Sequence, residues 1–149
     1  MYVAVVGPGD GASAAETAAA REVGRLLAAA GAIVLTGGLG GVMAAATEGA
    51  THAGGVTVAL LPGTDRSVST ASVVIPTGLG ELRNALIVRA ADAVIAVGGS
   101  WGTLSEIALA RRTDVPVVCV GGWDVRDAAG SPMDLRRVTS PADAVASIL

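Results

Sequence analysis

The chain has 149 residues, of which 52% are hydrophobic and 15% charged, with a net charge of −3 at pH 7. That balance supplies one core over residues 1–149 and excludes disorder. With no basic cluster and only 2% aromatic residues, it also argues against nucleic acid as a partner. All ten basic residues are arginines, so a Walker-A lysine, a Schiff base and a lysine-bound pyridoxal phosphate are excluded.

The chain opens on YVAVVG, a continuous apolar run with no basic leader, which reads as a strand and not as a signal peptide. No run reaches the ~18–20 apolar residues of a membrane span, so a cytoplasmic protein without a membrane partner is expected. A glycine-rich loop, GPGDGAS (7–13), follows, and Ser13 with Glu16 marks the start of a helix over Ala14–Ala30. Next come the strand AIVLTGG, a second glycine loop TGGLGGVM (36–43), and a helix over Gly41–Ala53. The runs VTVALLPG and SVVIPTG give two more strands, and ELRNALIVRAA a helix over Glu81–Ala91. Arg83 falls in the first turn of that helix, where a cation opposes the helix dipole by a few tenths of a kcal/mol and a bound anion would offset the cost. Arg89, about 120° further round the same helix, reads as a surface residue.

The strand AVIAVGG then leads through a third glycine loop, GGSWGT (98–103), into a helix over Thr103–Arg112. Within VPVVCVGG, Cys119 is the lone cysteine, which excludes an intramolecular disulfide and reads as a small buried hydrophobe. Trp123–Arg137 reads as a solvated loop whose Asp124, Asp127 and Asp134 form no metal site. Ser140 and Pro141 open a last helix over Pro141–Leu149.

Six continuous apolar runs alternating with helices predict a single Rossmann-like, doubly wound α/β domain of six or seven mostly parallel strands with helices on both faces. In such sheets the ligand lies beyond the carboxyl ends of the strands. Three glycine loops at that edge, feeding helix N-termini, predict an anion site for a phosphate-bearing ligand. The dinucleotide pattern is absent. Gly7, Gly9 and Gly11 have a different spacing, and the second strand ends in Leu35-Thr36-Gly37 with no carboxylate for a ribose. A mononucleotide-sized ligand fits better.

The stretch RNALIVRAADAVIAVGGSWGTLSE, with TGGLGGVM before it, resembles the signature of the LONELY GUY (LOG) proteins and the wider SLOG superfamily. The family pattern is an arginine on one helix, a strand, and P-G-G-x-G-T-x-x-E. On that pattern Arg83 and Glu106 fall on the catalytic pair. The ligand and phosphate loops fall on Gly7, Gly9, Gly37, Gly38, Gly40, Gly41, Met43, Asn84, Gly98, Gly99, Ser100, Gly102 and Thr103. The chain departs from it where Gly98 replaces the Pro, Ser100 the second Gly, Ser105 the Glu before the last one, and Asn84 the Lys of the plant-type Arg-Lys pair. Those departures resemble the short branch that includes the molybdenum-cofactor carrier protein.

The resemblance implies a phosphoribohydrolase that splits the N-glycosidic bond of a nucleoside 5′-monophosphate and needs no cofactor. Its alternative is a non-catalytic carrier or sensor of molybdenum cofactor or a nucleotide. Glu106 itself has two readings. Thr103 and Glu106 spell a T-x-x-E capping box, and Glu106 is also placed to stabilise an oxocarbenium-like transition state. A homodimer or homotetramer is expected, with apolar helix positions such as Ala28, Ala45 and Ala108 packing across subunits.

Overall fold

A computed structural model describes residues 1–149. Its centre is one seven-stranded sheet, all of whose pairings are parallel. The strands are β1 (Tyr2–Val6), β2 (Ile33–Thr36), β3 (Thr57–Leu61), β4 (Val73–Pro76), β5 (Ala93–Val97), β6 (Val117–Val120) and β7 (Arg136–Val138), in the order β4-β3-β2-β1-β5-β6-β7. The order runs outward from β1 to β4, then returns to β5 on the other side of β1. The topological switch point, where open α/β sheets leave a crevice, therefore lies between the ends of β1 and β5. Gly7 and Gly98 follow those two ends directly.

The helices are α1 (Ala14–Ala29), α2 (Val42–His52), α3 (Arg83–Ala90), α4 (Trp101–Arg112) and α5 (Pro141–Ala146). Alternate strand residues feed two cores. Val3, Val5, Val34, Ile95 and Val97 pack with Ala20, Val23 and Leu27 of α1, Val42 and Ala46 of α2, and Ala144 of α5. Ala4, Val6, Leu35, Val94 and Ala96 pack with Ile87 and Val88 of α3 and Ile107 and Ala110 of α4. Each fully buried Val, Leu or Ile contributes about 1.5–3 kcal/mol, so the continuous apolar runs follow from a sheet covered on both sides. Helices α1 and α2 approach so closely that a Cβ at Gly24 would strike the Ala46 backbone, and one at Gly49 the Arg21 backbone.

Four expectations are corrected. The helix read over Glu81–Ala91 begins as a 3-10 turn at Gly80–Leu82 before α3 proper. The stretch read as loop up to Arg137 contains most of β7, a polar edge strand that no apolar run announces. The last helix stops at Ala146 instead of reaching Leu149. Ala45 is 4% exposed within the chain's own core and is not available to a partner subunit. Among the starts, Ser13 and Glu16 form a complete capping box on α1, and Ser140 accepts from the Asp143 amide on α5. No helix is long and apolar enough to cross a membrane.

Candidate functional site

The start of α4 decides the reading of Glu106. Its N-cap is Ser100, extended at φ −129° and ψ 175°, whose Oγ accepts from the Thr103 amide at 3.2 Å. Thr103 is already helical, and its Oγ1 lies 2.9 Å from the Ser100 hydroxyl. The capping box read from Thr103 and Glu106 therefore does not form. A box needs an extended residue three positions before the acid, and position 103 is one turn inside the helix. Glu106 accepts no protein hydrogen bond and is 5% exposed. Burial pushes its carboxyl up to about 7, against the opposing pull of the Arg83 charge.

Arg83 is the counterpart from the other helix. It is 6% exposed, and burial lowers its affinity for a proton while Glu106 raises it. Its Nη1 donates to Asn84 Oδ1 at 3.1 Å, but its buried Nε has no partner. No Arg83–Glu106 ion pair lies within 4 Å; the four salt bridges are all elsewhere on the surface. An arginine and a carboxyl that titrates near neutral pH thus share one desolvated space without direct contact.

That space is a cleft of about 320 Å³ at the switch point, lined by Val6, Gly7, Gly9, Gly37, Leu39, Met43, Pro62, Gly80, Glu81, Arg83, Asn84, Ser100, Gly102, Thr103 and Glu106. Its volume sits at the lower end of the ~300–1,000 Å³ range of small-molecule sites. The guanidinium of Arg83 lies across Gly37, where a Cβ would collide with it. Thr36 Oγ1 accepts from the Gly38 amide at 3.2 Å and fixes the second loop. At the start of α2, Gly41 takes φ 61° and provides no side-chain cap. The Val42 amide donates to Pro8 O at 3.0 Å, and a Cβ on Gly41 would strike Pro8 and Gly9, so the first and second loops form one packed unit.

Of the residues read from sequence, Gly7, Gly9, Gly37, Met43, Arg83, Asn84, Ser100, Gly102, Thr103 and Glu106 line this cleft. Gly38, Gly40, Gly41, Gly98 and Gly99 do not; they shape the loops. A Cβ on Gly38 would meet Leu61 and Ala59, one on Gly40 would approach Asp10, one on Gly98 would meet the Glu16 carboxylate, and one on Gly99 the Trp123 ring. The sequence reading missed Val6, Leu39, Pro62, Gly80 and Glu81, although the Pro-Gly ending β3 was a visible signal. Two departures from the family pattern turn out to face each other: Asn84 Nδ2 donates to Ser105 Oγ at 3.4 Å, and Ser105 donates to Gly102 O at 2.7 Å.

Fold and cleft together define the class, a Rossmann-like α/β protein with a glycine-walled crevice at its topological switch point. The chain belongs to the SLOG superfamily, since the model of the SLOG cluster4 family matches residues 1–145. It is 44% identical over 113 residues to an uncharacterized protein of Archaeoglobus fulgidus, covering 75% of this chain and 74% of that one. Among solved structures it is similar to the molybdenum cofactor binding protein of Rippkaea orientalis, with TM-score 0.88, 34% identity, and 99% and 94% of the two chains covered. The molybdenum cofactor carrier protein of Chlamydomonas reinhardtii has TM-score 0.85 and 32% identity over the same shares.

Proposed function

We propose that the protein binds a phosphorylated small molecule with a planar ring system in this cleft, and that it carries the ligand intact, as a carrier of molybdenum cofactor or a like phosphorylated pterin. One observation carries the reading: Arg83 is buried with its Nε unpartnered. Holding such a charge out of water costs several kcal/mol, and an anion is the partner that offsets it. The guanidinium gives a phosphate charge-assisted bonds. The backbone of Gly37 and the amides of Met43 at the start of α2 and Gly102 at the start of α4, none of which has a protein partner, supply further donors. Gly7, Gly9 and Met43 leave a low wall for the ring. The likeness to two molybdenum-cofactor proteins supports the cargo.

Glu106 favours a second reading, a phosphoribohydrolase. A carboxyl titrating near 7 can exchange a proton at neutral pH or, ionised, stabilise an oxocarbenium-like transition state. Arg83 then orients the phosphate of a nucleoside 5′-monophosphate. The two readings separate in one experiment. The protein is incubated with AMP and scored for adenine and ribose 5-phosphate, and in parallel with molybdenum cofactor, gel-filtered and scored for co-eluting pterin. The carrier reading requires co-elution and no turnover; turnover of AMP by wild type and none by Glu106→Gln would replace it with the enzyme.

The assembly is proposed to be a homodimer or homotetramer. Leu82 of the 3-10 turn and Trp101 of α4, 74% and 77% exposed, line one shallow groove together with Leu109, and Leu79 and Leu86 nearby in sequence are 46% and 41% exposed. Such a patch is the surface a second copy would cover.

A further inference from the structure

Trp123 does not itself line the cleft, yet it is bonded into the loop that forms one wall. The segment Val120–Trp123, from the last residue of β6 onward, runs alongside Gly98–Ser100 and grips it at three points. The Gly98 amide donates to Val120 O at 2.9 Å, continuing the sheet ladder past the end of β5. Gly122 packs so closely on the Gly98 carbonyl that a Cβ there would collide with it. The Trp123 ring covers the face of Gly99, and its Nε1–H donates to Ser100 O at 3.0 Å. Ser100 is the N-cap of α4, and its carbonyl also takes the Leu104 amide at 2.9 Å. The indole therefore adds a second bond to the carbonyl that starts the helix.

The grip is itself anchored. Arg137 of β7 donates through Nη2 to the Trp123 carbonyl, and the Trp101 ring rests on the Trp123 ring with centroids 5.0 Å apart. From the opposite side the Glu16 carboxylate abuts Gly98. Gly98 and Gly99, which have no side chains to fix them, are thus held between α1 and the β6–β7 connection. A glycine segment left free would lose on ligand binding the conformational entropy that this clamp removes beforehand.

We infer that Trp123 is a positioning residue that sets the geometry of the Gly98–Thr103 loop and, through it, the affinity of the cleft for a phosphate group. The inference rests on the proposal that this loop and Arg83 hold the ligand's phosphate. It makes the β6–β7 connection, distant in sequence from every residue of the family motif, part of the binding apparatus. It also makes Trp123 a reporter, because an anion bound at Ser100–Thr103 brings a negative charge close to an indole bonded to Ser100.

The test uses inorganic phosphate as probe. Its affinity is measured by calorimetry for wild type, Trp123→Phe and Trp123→Ala, with thermal unfolding run on each. Trp123→Phe keeps a ring on Gly99 and deletes only the N–H donor; its unfolding midpoint is expected to fall by about 2–4 °C, the worth of one neutral hydrogen bond, and its phosphate affinity, measured well below that midpoint where the variant is fully folded, about fivefold. Trp123→Ala is expected to lose more. In Trp101→Phe the remaining tryptophan is Trp123, and its emission is expected to shift with phosphate and saturate at the calorimetric occupancy. Wild-type affinity in Trp123→Phe, or silent emission at saturation, overturns the assignment and leaves the anion cleft standing. No binding of phosphate by wild type overturns both.

Discussion

Replacing Glu106 by Gln is expected to stabilise the ligand-free protein at neutral and alkaline pH and to do nothing in acid. The carboxyl's ordinary value is 4.5, and burial raises it to about 7. Between those values the native state holds a proton that the unfolded chain has released, so stability falls as pH rises across the window. At ~1.36 kcal/mol per unit, the full loss is about 3 kcal/mol, complete by about pH 8 and absent below about pH 4. Gln has the same shape and no charge, so the difference between wild type and Glu106→Gln isolates this one group. In a chain of this size 1 kcal/mol moves the midpoint by about 2–4 °C, which puts the variant some ~6–12 °C above wild type at pH 8. Thermal unfolding of both proteins from pH 4.5 to pH 8.5, free of phosphate, measures it. Parallel curves would refute the burial argument. A variant less stable at pH 8 would show that the carboxylate is held by favourable donors, as in a helix cap, where the folded-state value is depressed and stability is lost as pH falls.

Other substitutions separate the remaining roles. Ser100→Ala is expected to cost about 0.5–2 kcal/mol in urea unfolding, because Ser100 and not Thr103 caps α4. Gly37→Ala places a methyl where the Arg83 guanidinium lies, so phosphate affinity is expected to drop at least about tenfold in calorimetry with little change in stability. Arg83→Met is expected to lose about a hundredfold in phosphate affinity, the worth of two charge-assisted bonds, while melting at or above the wild-type temperature, since it removes a buried charge. Leu82→Glu is expected to shift the mass found by light scattering from an oligomer to a monomer; a wild-type monomer at micromolar concentration would refute the oligomer outright.

The five inner strands were legible because a strand buried on both faces must be apolar throughout, and Gly or Pro-Gly closes most of them; β4, an edge strand with Val73 and Ile75 exposed, was legible from its β-branched run alone. β7 was not legible: its Arg136 and Arg137 are exposed on the sheet edge, and no burial demand shapes their sequence. The cleft was readable from glycine loops at strand ends and from the spacing of Arg83 to Glu106. The cap was misread because Thr103-x-x-Glu106 and Ser100-x-x-Thr103 overlap, and only backbone geometry shows which residue is extended. Ser100 stands where the family motif has a glycine, which hides it as a cap. Trp123 was invisible for another reason. Its contacts with Gly99 and Ser100 arise from the adjacency of β5 and β6, and no local pattern encodes that.

The central claim is that the crevice around Arg83 holds the phosphate of a small molecule. Calorimetric titration with a phosphorylated pterin, repeated with excess inorganic phosphate and with Arg83→Met, tests it most directly. The account predicts one saturable site per chain, weakened competitively by inorganic phosphate and lost in Arg83→Met. Undiminished binding in that variant, or no binding of phosphorylated pterin or AMP by the wild type, would contradict it.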